Sequence, residues 1–569
     1  AEVVFSVDCT KLKDYFLPER RKFDCIYFNF PHCGRKAGVV KNRELLARFF
    51  CSCAEVLTEE GEVHVALCNG QGGTPADQPR REWHNSWQIV AVAAGAGFIL
   101  SNVHPFKAET IHGYKCTGYR SQDKSFSVEG ALNHIFTRSL PLPYVRPTSC
   151  ETELGSRKVS FQVPQVLVDK INRGFLDIDS NHPVRTIKEK LTAELSQAFP
   201  LQHTDHCLSL LHQGPLDGVC HSNVFSIVLS PEENPSTEEM SNELANAVSF
   251  SHADSCRNTE ENVQDVPVQE GRHISQRCCL RPSLLPYAQA IIRRGAFIPG
   301  TLHVLSGPVF RKCLITPYSM PVFHEMVFVC AVNRGTENSC IQMLVDNVKS
   351  GIDSLHRTVS GFKLDISLKE ATSFEPAELN DFAAFESQLS KIQYFVCWER
   401  DPSGPSEKDS CVGVLRTALY ELVCSELVVL FLSLNLDLLA MLLCGIADWR
   451  MLWTADTRFL RQFPRGELRL FRSFSLYPPS YVHDVSFWLP DGEHFDEVAF
   501  HTIARQVSGE TVISIRLIDS FQQPETGRRS LCYRLTFQCC DKALSCQEVA
   551  GMQLLFRKEV NQCLNLTLR

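Results

Sequence analysis

The chain has 569 residues and a mass of 64.2 kDa; at roughly 150 residues per domain this points to about four domains, or fewer large ones, and excludes a single small module. Hydrophobic residues make up 44% and charged residues 21%, which suits several packed cores and excludes global disorder. Lys and Arg number 57 against 65 Asp and Glu, a formal charge of -8, so no overall field holds a polyanion and any nucleic-acid binding has to come from local patches.

From Val3 to about Leu142 short apolar runs alternate with helical stretches. Strands are predicted at Asp24–Phe30 and Val63–Leu67, and helices at Arg43–Leu57 and Trp87–Ala96. This is an α/β signature with a parallel sheet. The run Cys25-Ile26-Tyr27-Phe28 is continuous, as in strands covered by helices on both faces, and Gly61 is expected to close the helix before Val63. The first strand stops at Asn29-Phe30-Pro31-His32-Cys33-Gly34. Ligand chemistry in open α/β sheets sits beyond the carboxyl ends of strands, although an ordinary strand-to-loop exit has the same pattern.

Three sets of residues carry a family resemblance here: Val7-Asp8-Cys9-Thr10-Lys11-Leu12, Phe23 to His32, and Asn42 to Phe50, with Trp87-Gln88-Ile89 beyond them. Residues 1–142 resemble Rossmann-fold RNA methyltransferases of the ribosomal-RNA uridine type. The resemblance implies S-adenosylmethionine as methyl donor, with Asp8 near its adenosine. It also implies a reaction centre lined by Asn29, Pro31 and His32, where an extruded base is met. Such enzymes open with a Gly-rich strand-turn-helix, and none precedes Ala1. The expectation is therefore a Rossmann-like domain lacking its first βα unit, either a fragment or an inactive domain, with a segment missing ahead of Ala1-Glu2-Val3.

Residues 143–180 read as a linker. After His182-Pro183, Ile187, Leu191 and Leu195 recur at helical spacing. Residues from about Pro231 to Arg277 are rich in Ser, Glu, Asn and Asp and are expected to be a disordered insertion. From Leu280 to about Phe463 one large α+β domain is expected, with a loop at Asp401–Asp409. Its most apolar stretch, Leu427–Ile446, is interrupted by Asn435 and Asp437 and does not read as a membrane span.

Within this region Leu280-Arg281-Pro282-Ser283-Leu284, Val309-Phe310-Arg311-Lys312, Pro321-Val322-Phe323-His324-Glu325 and Leu436 to Arg450 form an ordered series. In order and spacing they resemble the catalytic core of phenylalanyl-tRNA synthetase, which implies a class II antiparallel core over residues 181–465. Adenylation in that class needs one Arg on the α-phosphate and carboxylate and a second on the γ-phosphate. Arg311 matches the first. Where the family reads Gly-Leu-Gly-Leu-Glu-Arg-Leu-Ala-Met, this chain has Ser433-Leu434-Asn435-Leu436-Asp437-Leu438-Leu439-Ala440-Met441, so the second Arg is Leu438. Both glycines are replaced, and Cys313 stands where the family has an acid. Losing such a clamp removes at least ~1.5 to 3 kcal/mol. Arg311, His324 and Leu438 thus mark a degenerate, catalytically dead site.

Residues 474–569 alternate strand and helix as βαββαβ, a ferredoxin-like order, with a hairpin turn at Gln522–Arg529. Tyr477-Pro478-Pro479, Asp484-Val485-Ser486-Phe487, Ser514 to Asp519 and Ser530 to Phe537, with Glu548-Val549 and Arg569, resemble the ferredoxin-fold anticodon-binding domain of phenylalanyl-tRNA synthetases. The resemblance implies tRNA binding on the sheet face, with Arg516, Arg528, Arg529 and Arg534 as contacts. Nine Lys and Arg against eleven Asp and Glu in this segment make no basic stripe, so a protein-interaction module stays open as well.

The 25 cysteines include no C-x-x-C pair and read as small buried thiols in a reducing compartment, without a metal site. The expected location is the cytoplasm, nucleus or nucleolus, with mitochondrial targeting left open. Two functions are carried forward. One is an RNA-binding protein related to rRNA or tRNA uridine methyltransferases and fused to an inactive synthetase-like module; the other is a non-catalytic tRNA-binding or protein-interaction scaffold.

Overall fold

The computed structural model describes the chain apart from residues 1–2, 17–20, 35–36, 117–125, 127, 143–147, 155–156, 205–209, 213–222, 229–276, 294–297, 317–318, 360–364, 371–389, 400–409, 420–426 and 491–494. Its described residues form three large buried apolar clusters.

The first comprises α1 (Leu12–Phe16), β1 (Phe23–Asn29), α2 (Val39–Val56), β2 (Leu57–Leu67), α3 (Ile89–Ala94), β3 (Phe98–Pro105) and β4 (Leu132–Arg138). Sheet order is β1-β2-β4-β3. Only β1 and β2 are parallel; β4 runs antiparallel to both its neighbours, so the sheet is mixed and not parallel as expected. The reason is the return of the chain after β3, which inserts β4 between β2 and β3. Leu46, Phe49, Phe50 and Val56 of α2 bury one face of the sheet against Val63, Val65, Phe98 and Phe136. Tyr27, on β1, is 64% exposed, so its apolar run is not covered on both faces. Gly61 is not a helix cap either. Helix α2 ends at Val56, and Gly61 lies in β2, where the pairing steps from Phe23↔Leu57 to Cys25↔Glu62. A Cβ at Gly61 would stand 2.7 Å from the Leu57 side chain, so the close turn of this bulge needs glycine.

Residues 143–180 are not a simple linker. A hairpin of β5 (Ser149–Leu154) and β6 (Arg157–Gln162) is followed by Val166, Leu167 and Phe175, and these three are buried with Phe161 in the same cluster as Ile187 and Leu191. Buried apolar side chains bind this stretch to the middle region.

That region continues with α4 (Pro183–Leu195), β7 (Leu201–His203), β8 (Leu210–His212), β9 (Ser226–Val228), β10 (Arg277–Leu280), α5 (Leu285–Arg293), β11 (Leu302–Phe310), β12 (Val322–Asn333), α6 (Glu337–Val359), β13 (Asp365–Glu370), β14 (Ser390–Glu399), β15 (Ser410–Leu419), β16 (Leu427–Asn435), α7 (Leu436–Cys444), α8 (Trp449–Leu452) and α9 (Thr457–Leu460). Seven strands pair in the order β13-β14-β15-β16-β12-β11-β7, antiparallel except for β7 beside β11. This is the synthetase-like antiparallel core. The apolar stretch from Leu427 is a central strand followed by a core helix, and among the described residues no helix is long and apolar enough to cross a membrane. The expected insertion lies outside the described residues except for Arg277, which begins β10; the loop expected at Asp401–Asp409 lies outside them too.

The C-terminal elements are β17 (Tyr481–Trp488), α10 (Glu497–Ser508), β18 (Val512–Gln522), β19 (Arg529–Phe537), α11 (Cys546–Leu564) and β20 (Thr567–Leu568), in sheet order β18-β19-β17-β20. This is the ferredoxin-like arrangement expected. Ser545 and Glu548 form a capping box that starts α11, and Val485, Phe487, Tyr533 and Leu535 face Phe500, Val549 and Phe556 of the helices. Several hydrogen bonds tie the domain to the middle region, among them the following. His501 Nδ1 accepts a bond from Ile315 N (2.7 Å), and Arg450 Nη1 donates to the carbonyls of Glu510 (2.7 Å) and Gln538 (2.6 Å).

Candidate functional sites

Beyond the end of β1 the backbone turns sharply. Phe30 takes a left-handed φ of 53°, and its N–H still donates to the Ala66 carbonyl of β2 (2.8 Å). Pro31 is buried, and Cys33 N donates to Oδ1 of Asn42 (3.0 Å), which is itself buried in the first turn of α2. His32 is exposed; its Nδ1 accepts from Gly34 N (3.0 Å), and its ring lies 6.1 Å from that of Trp87. The Phe30 ring meets those of Phe106 and Phe126 edge-on at 5.0 and 5.1 Å, so a half-buried aromatic cluster adjoins Asn29 and Pro31.

Facing this strand end is the loop after β2, which sequence reasoning missed. Asp77, 2% exposed, accepts from Gly70 N (2.8 Å) and from Thr74 N (2.8 Å) and Oγ1 (3.1 Å). Trp87 N donates to Gln71 O (2.7 Å) and Ile89 N to Gly72 O (3.1 Å), which bends the loop back over the start of α3. Arg43 of α2 holds the far side through the carbonyls of Ser86 (2.6 Å) and His84 (2.7 Å). A Cβ at Gly72 would stand 2.7 Å from His134 Nε2, and one at Gly73 would overlap Ser86 Oγ. His134 is fully buried, and burial pushes its pKa down to about 4. The available signal was the cluster Gly70, Gly72 and Gly73 directly after a strand.

Asp8 is exposed on the segment ahead of α1. Its Oδ1 accepts from Thr10 N (2.9 Å) and Oγ1 (2.7 Å), bonds that hold its carboxyl below the usual carboxylate range. Just after it, Leu12 N donates to Ser52 Oγ of α2 (2.7 Å), which docks this segment on that helix.

The synthetase-like pocket holds little free space. A cavity of about 10 Å³, room for about one water, is lined by Ser283, Leu285, Arg311, Glu325, Val414, Arg416, Phe431 and Ser433. Glu325 is 1% exposed and accepts from the hydroxyls of Ser283 (3.0 Å) and Ser433 (2.6 Å), while Arg311 Nε donates to Pro282 O (2.7 Å). Of the three residues marked from the sequence, only Arg311 lines this cavity. His324 points elsewhere: its N and Nδ1 both lie 2.9 Å from Asp437 Oδ1, and Trp453 Nε1 donates to Asp437 Oδ2 (2.9 Å). Leu438 sits in the first turn of α7, where its N–H is capped by Asn435 Oδ1 (3.0 Å).

On the C-terminal sheet the four arginines do not form one patch. Arg534 makes a bidentate pair with Asp484 (2.8 and 2.9 Å), and Arg516 stands opposite Arg534 on β18. Hydrogen bonds from Arg534 hold the Asp484 carboxyl below its usual range. Arg529 Nε donates to Ser520 Oγ (3.2 Å). Arg528 belongs to a separate corner: its guanidinium lies 5.4 Å over Trp488, and Arg569 lies 5.5 Å over Trp488 and 5.7 Å over Phe521. Trp488, Phe521 and Arg569 were not singled out from the sequence as contacts. Their signal was an aromatic on each of two strands that the fold brings to 6.2 Å.

Comparison with known proteins agrees with this division. Residues 1–118 match the family described as BMT5-like, rRNA (uridine-N3-)-methyltransferase, and residues 475–569 match the ferredoxin-fold anticodon binding domain. The human ferredoxin-fold anticodon-binding domain-containing protein 1 is 49% identical over 99% of this chain and 89% of its own length. Its Mus musculus homolog is 47% identical over 100% and 90%. The chloroplastic/mitochondrial phenylalanine–tRNA ligase of Arabidopsis thaliana is 27% identical over 55% of this chain and 70% of its own length.

Proposed function

The chain belongs to the family of ferredoxin-fold anticodon-binding domain-containing protein 1, and from that premise we propose that it binds ribosomal or transfer RNA and directs uridine N3 methylation through its N-terminal domain. A methyltransferase-like, a synthetase-like and an anticodon-binding domain in one chain suggest work on RNA. The observation that carries the finer reading is the strand end. Asn29, Pro31 and His32 adjoin the rings of Phe30, Phe106 and Phe126, which offer an extruded base a stacking surface. With Nδ1 accepting from Gly34, a neutral His32 carries its proton on Nε2 and can donate to a uracil carbonyl; Asn29 would orient the imide edge. S-adenosylmethionine, when bound, supplies the methyl group, with Asp8 holding its ribose hydroxyls. The C-terminal domain would engage the RNA through Arg516, Arg528 and Arg529, with the Trp488 corner beside Arg528, whereas Arg534 is held by Asp484.

In this reading the middle region serves as a frame without synthetase activity, supported by Leu438 at the clamp position and by the nearly filled pocket. The same two observations favour the second reading, a non-catalytic tRNA-binding or protein-interaction scaffold. Crosslinking to RNA in cells, sequencing of the recovered RNA and mass spectrometry of its 3-methyluridine separate the two. Loss of that nucleotide in an Asn29→Ala, His32→Ala variant that still crosslinks supports methylation, and unchanged 3-methyluridine refutes it. No recovered RNA above background supports a protein scaffold. The cytoplasm, nucleus or nucleolus is part of the proposal, checked by imaging the tagged protein.

A further inference from the structure

The face of the N-terminal sheet opposite α2 carries polar side chains that the strand-end site does not use. Cys25 and Tyr27 of β1 pair in register with Glu62 and His64 of β2, so all four project from one face. A ligand atom from each of Cys25, Glu62 and His64 lies within 4.8 Å of the other two. His64 is 7% exposed, with Nε2 2.9 Å from Glu62 Oε2, whereas the Glu62 side chain is 47% exposed and leaves the cluster open to solvent.

We propose that Cys25, Glu62 and His64 form a zinc(II) site with its fourth position open. A thiolate, an imidazole and a carboxylate suit zinc and not the all-oxygen shells of magnesium or calcium. Three protein ligands leave one position for water or another donor.

Supporting groups stand behind His64. Asn133 of β4 places its side-chain amide 3.2 Å from His64 Nδ1 and 3.3 Å from His104 Nε2 of β3. Zinc on Nε2 requires a proton on Nδ1, and the amide accepts that proton's hydrogen bond once its oxygen is turned to His64. An amide's O and N differ only by such partners. The Tyr27 ring packs 4.4 Å from the His64 ring and fixes the orientation of that ligand.

The proton balance is defined. Zinc displaces the Cys25 thiol proton and takes Nε2 of His64 with that ring's proton on Nδ1, so the thiol proton is released as the ion binds. No C-x-x-C spacing announces the site, because two neighbouring strands bring its ligands together. It is independent of methyl transfer.

The test is cobalt(II) and zinc(II) titration of the whole chain, reduced and freed of metal. The expected result is one tight cobalt per chain with a thiolate-to-cobalt charge-transfer band and tetrahedral d–d bands, displaced by zinc, with about one proton released per ion in weak buffer. Cys25→Ser removes the charge-transfer band. Glu62→Gln, at a half-exposed side chain, weakens binding at least about tenfold, and Asn133→Ala weakens it about 10- to 100-fold. Absence of a tight band overturns the proposal. So does a band unchanged in both Cys25→Ser and Glu62→Gln, which would put the ion on another of the cysteines.

Discussion

Acidification from pH 7 to pH 5 is expected to destabilise this protein before its surface carboxylates begin to titrate, because neutral histidines are buried in all three regions. Burial pushes His134 of the N-terminal sheet down to about 4, His182 at the start of α4 to about 3, and His501 of α10 to about 4. The unfolded chain takes up these protons near pH 6.5, whereas the folded chain refuses them until pH 4 or below. The unfolded state therefore binds more protons throughout this interval. The stabilisation is complete above pH 6.5 and is lost progressively as pH falls toward the folded values. At 1.36 kcal/mol per pH unit, each histidine removes about 2 kcal/mol between pH 7 and pH 5. That is a large part of a stability of about 5–15 kcal/mol. His182 accepts from Val184 N (3.3 Å) and bonds Leu452 O (3.0 Å), and His501 accepts from Ile315 N (2.7 Å), so protonation also costs contacts that start α4 and hold the C-terminal domain to the middle region. Guanidinium unfolding at pH 7, 6 and 5, with proton uptake on denaturation measured directly, should give an uptake approaching three protons near pH 5. His501→Gln keeps an acceptor for Ile315 and should lower that uptake by about one. A midpoint that does not move between pH 7 and pH 5, or an uptake unchanged in the variant, would refute the reasoning.

Asp437→Ala should cost about 3–5 kcal/mol, since it strands the donors of His324 and Trp453 in a fully buried position, and thermal unfolding reads the loss. Restoring the synthetase motif with Ser433→Gly, Asn435→Gly and Leu438→Arg together should leave ATP–pyrophosphate exchange with phenylalanine undetectable, because Arg311 stays bonded to Pro282 O and Cys313 still stands where the acid would be. On the C-terminal sheet, Trp488→Ala with Phe521→Ala should weaken binding of a tRNA anticodon stem-loop about tenfold or more, at about 1–3 kcal/mol per stacked base. Arg534→Ala, already neutralised by Asp484, should change the same gel-shift affinity less than threefold.

The C-terminal fold was legible because its elements are short, regular and punctuated by local chemistry: alternation in Val485 and Phe487 and again in Leu531, Tyr533 and Leu535, a turn with Gly527, and a capping box at Ser545 and Glu548. The stopping point of β1 at Asn29-Phe30-Pro31 could also be read locally, and Phe30 turns the backbone there. Tertiary structure alone decided what these residues meet. A period of two identifies a strand but names no neighbour, so the antiparallel insertion of β4, the hairpin inside the supposed linker and the bulge at Gly61 were out of reach. The same limit governs the sites. His324 turns to Asp437 and away from the pocket, Arg534 is spent on Asp484, and the Trp488 corner forms only when β17, β18 and the terminal residue meet. Residue type and spacing determine which chemistry a chain can carry, whereas hydrogen-bonding and packing between segments distant in sequence decide which of those groups are used up by the fold and which are left to act.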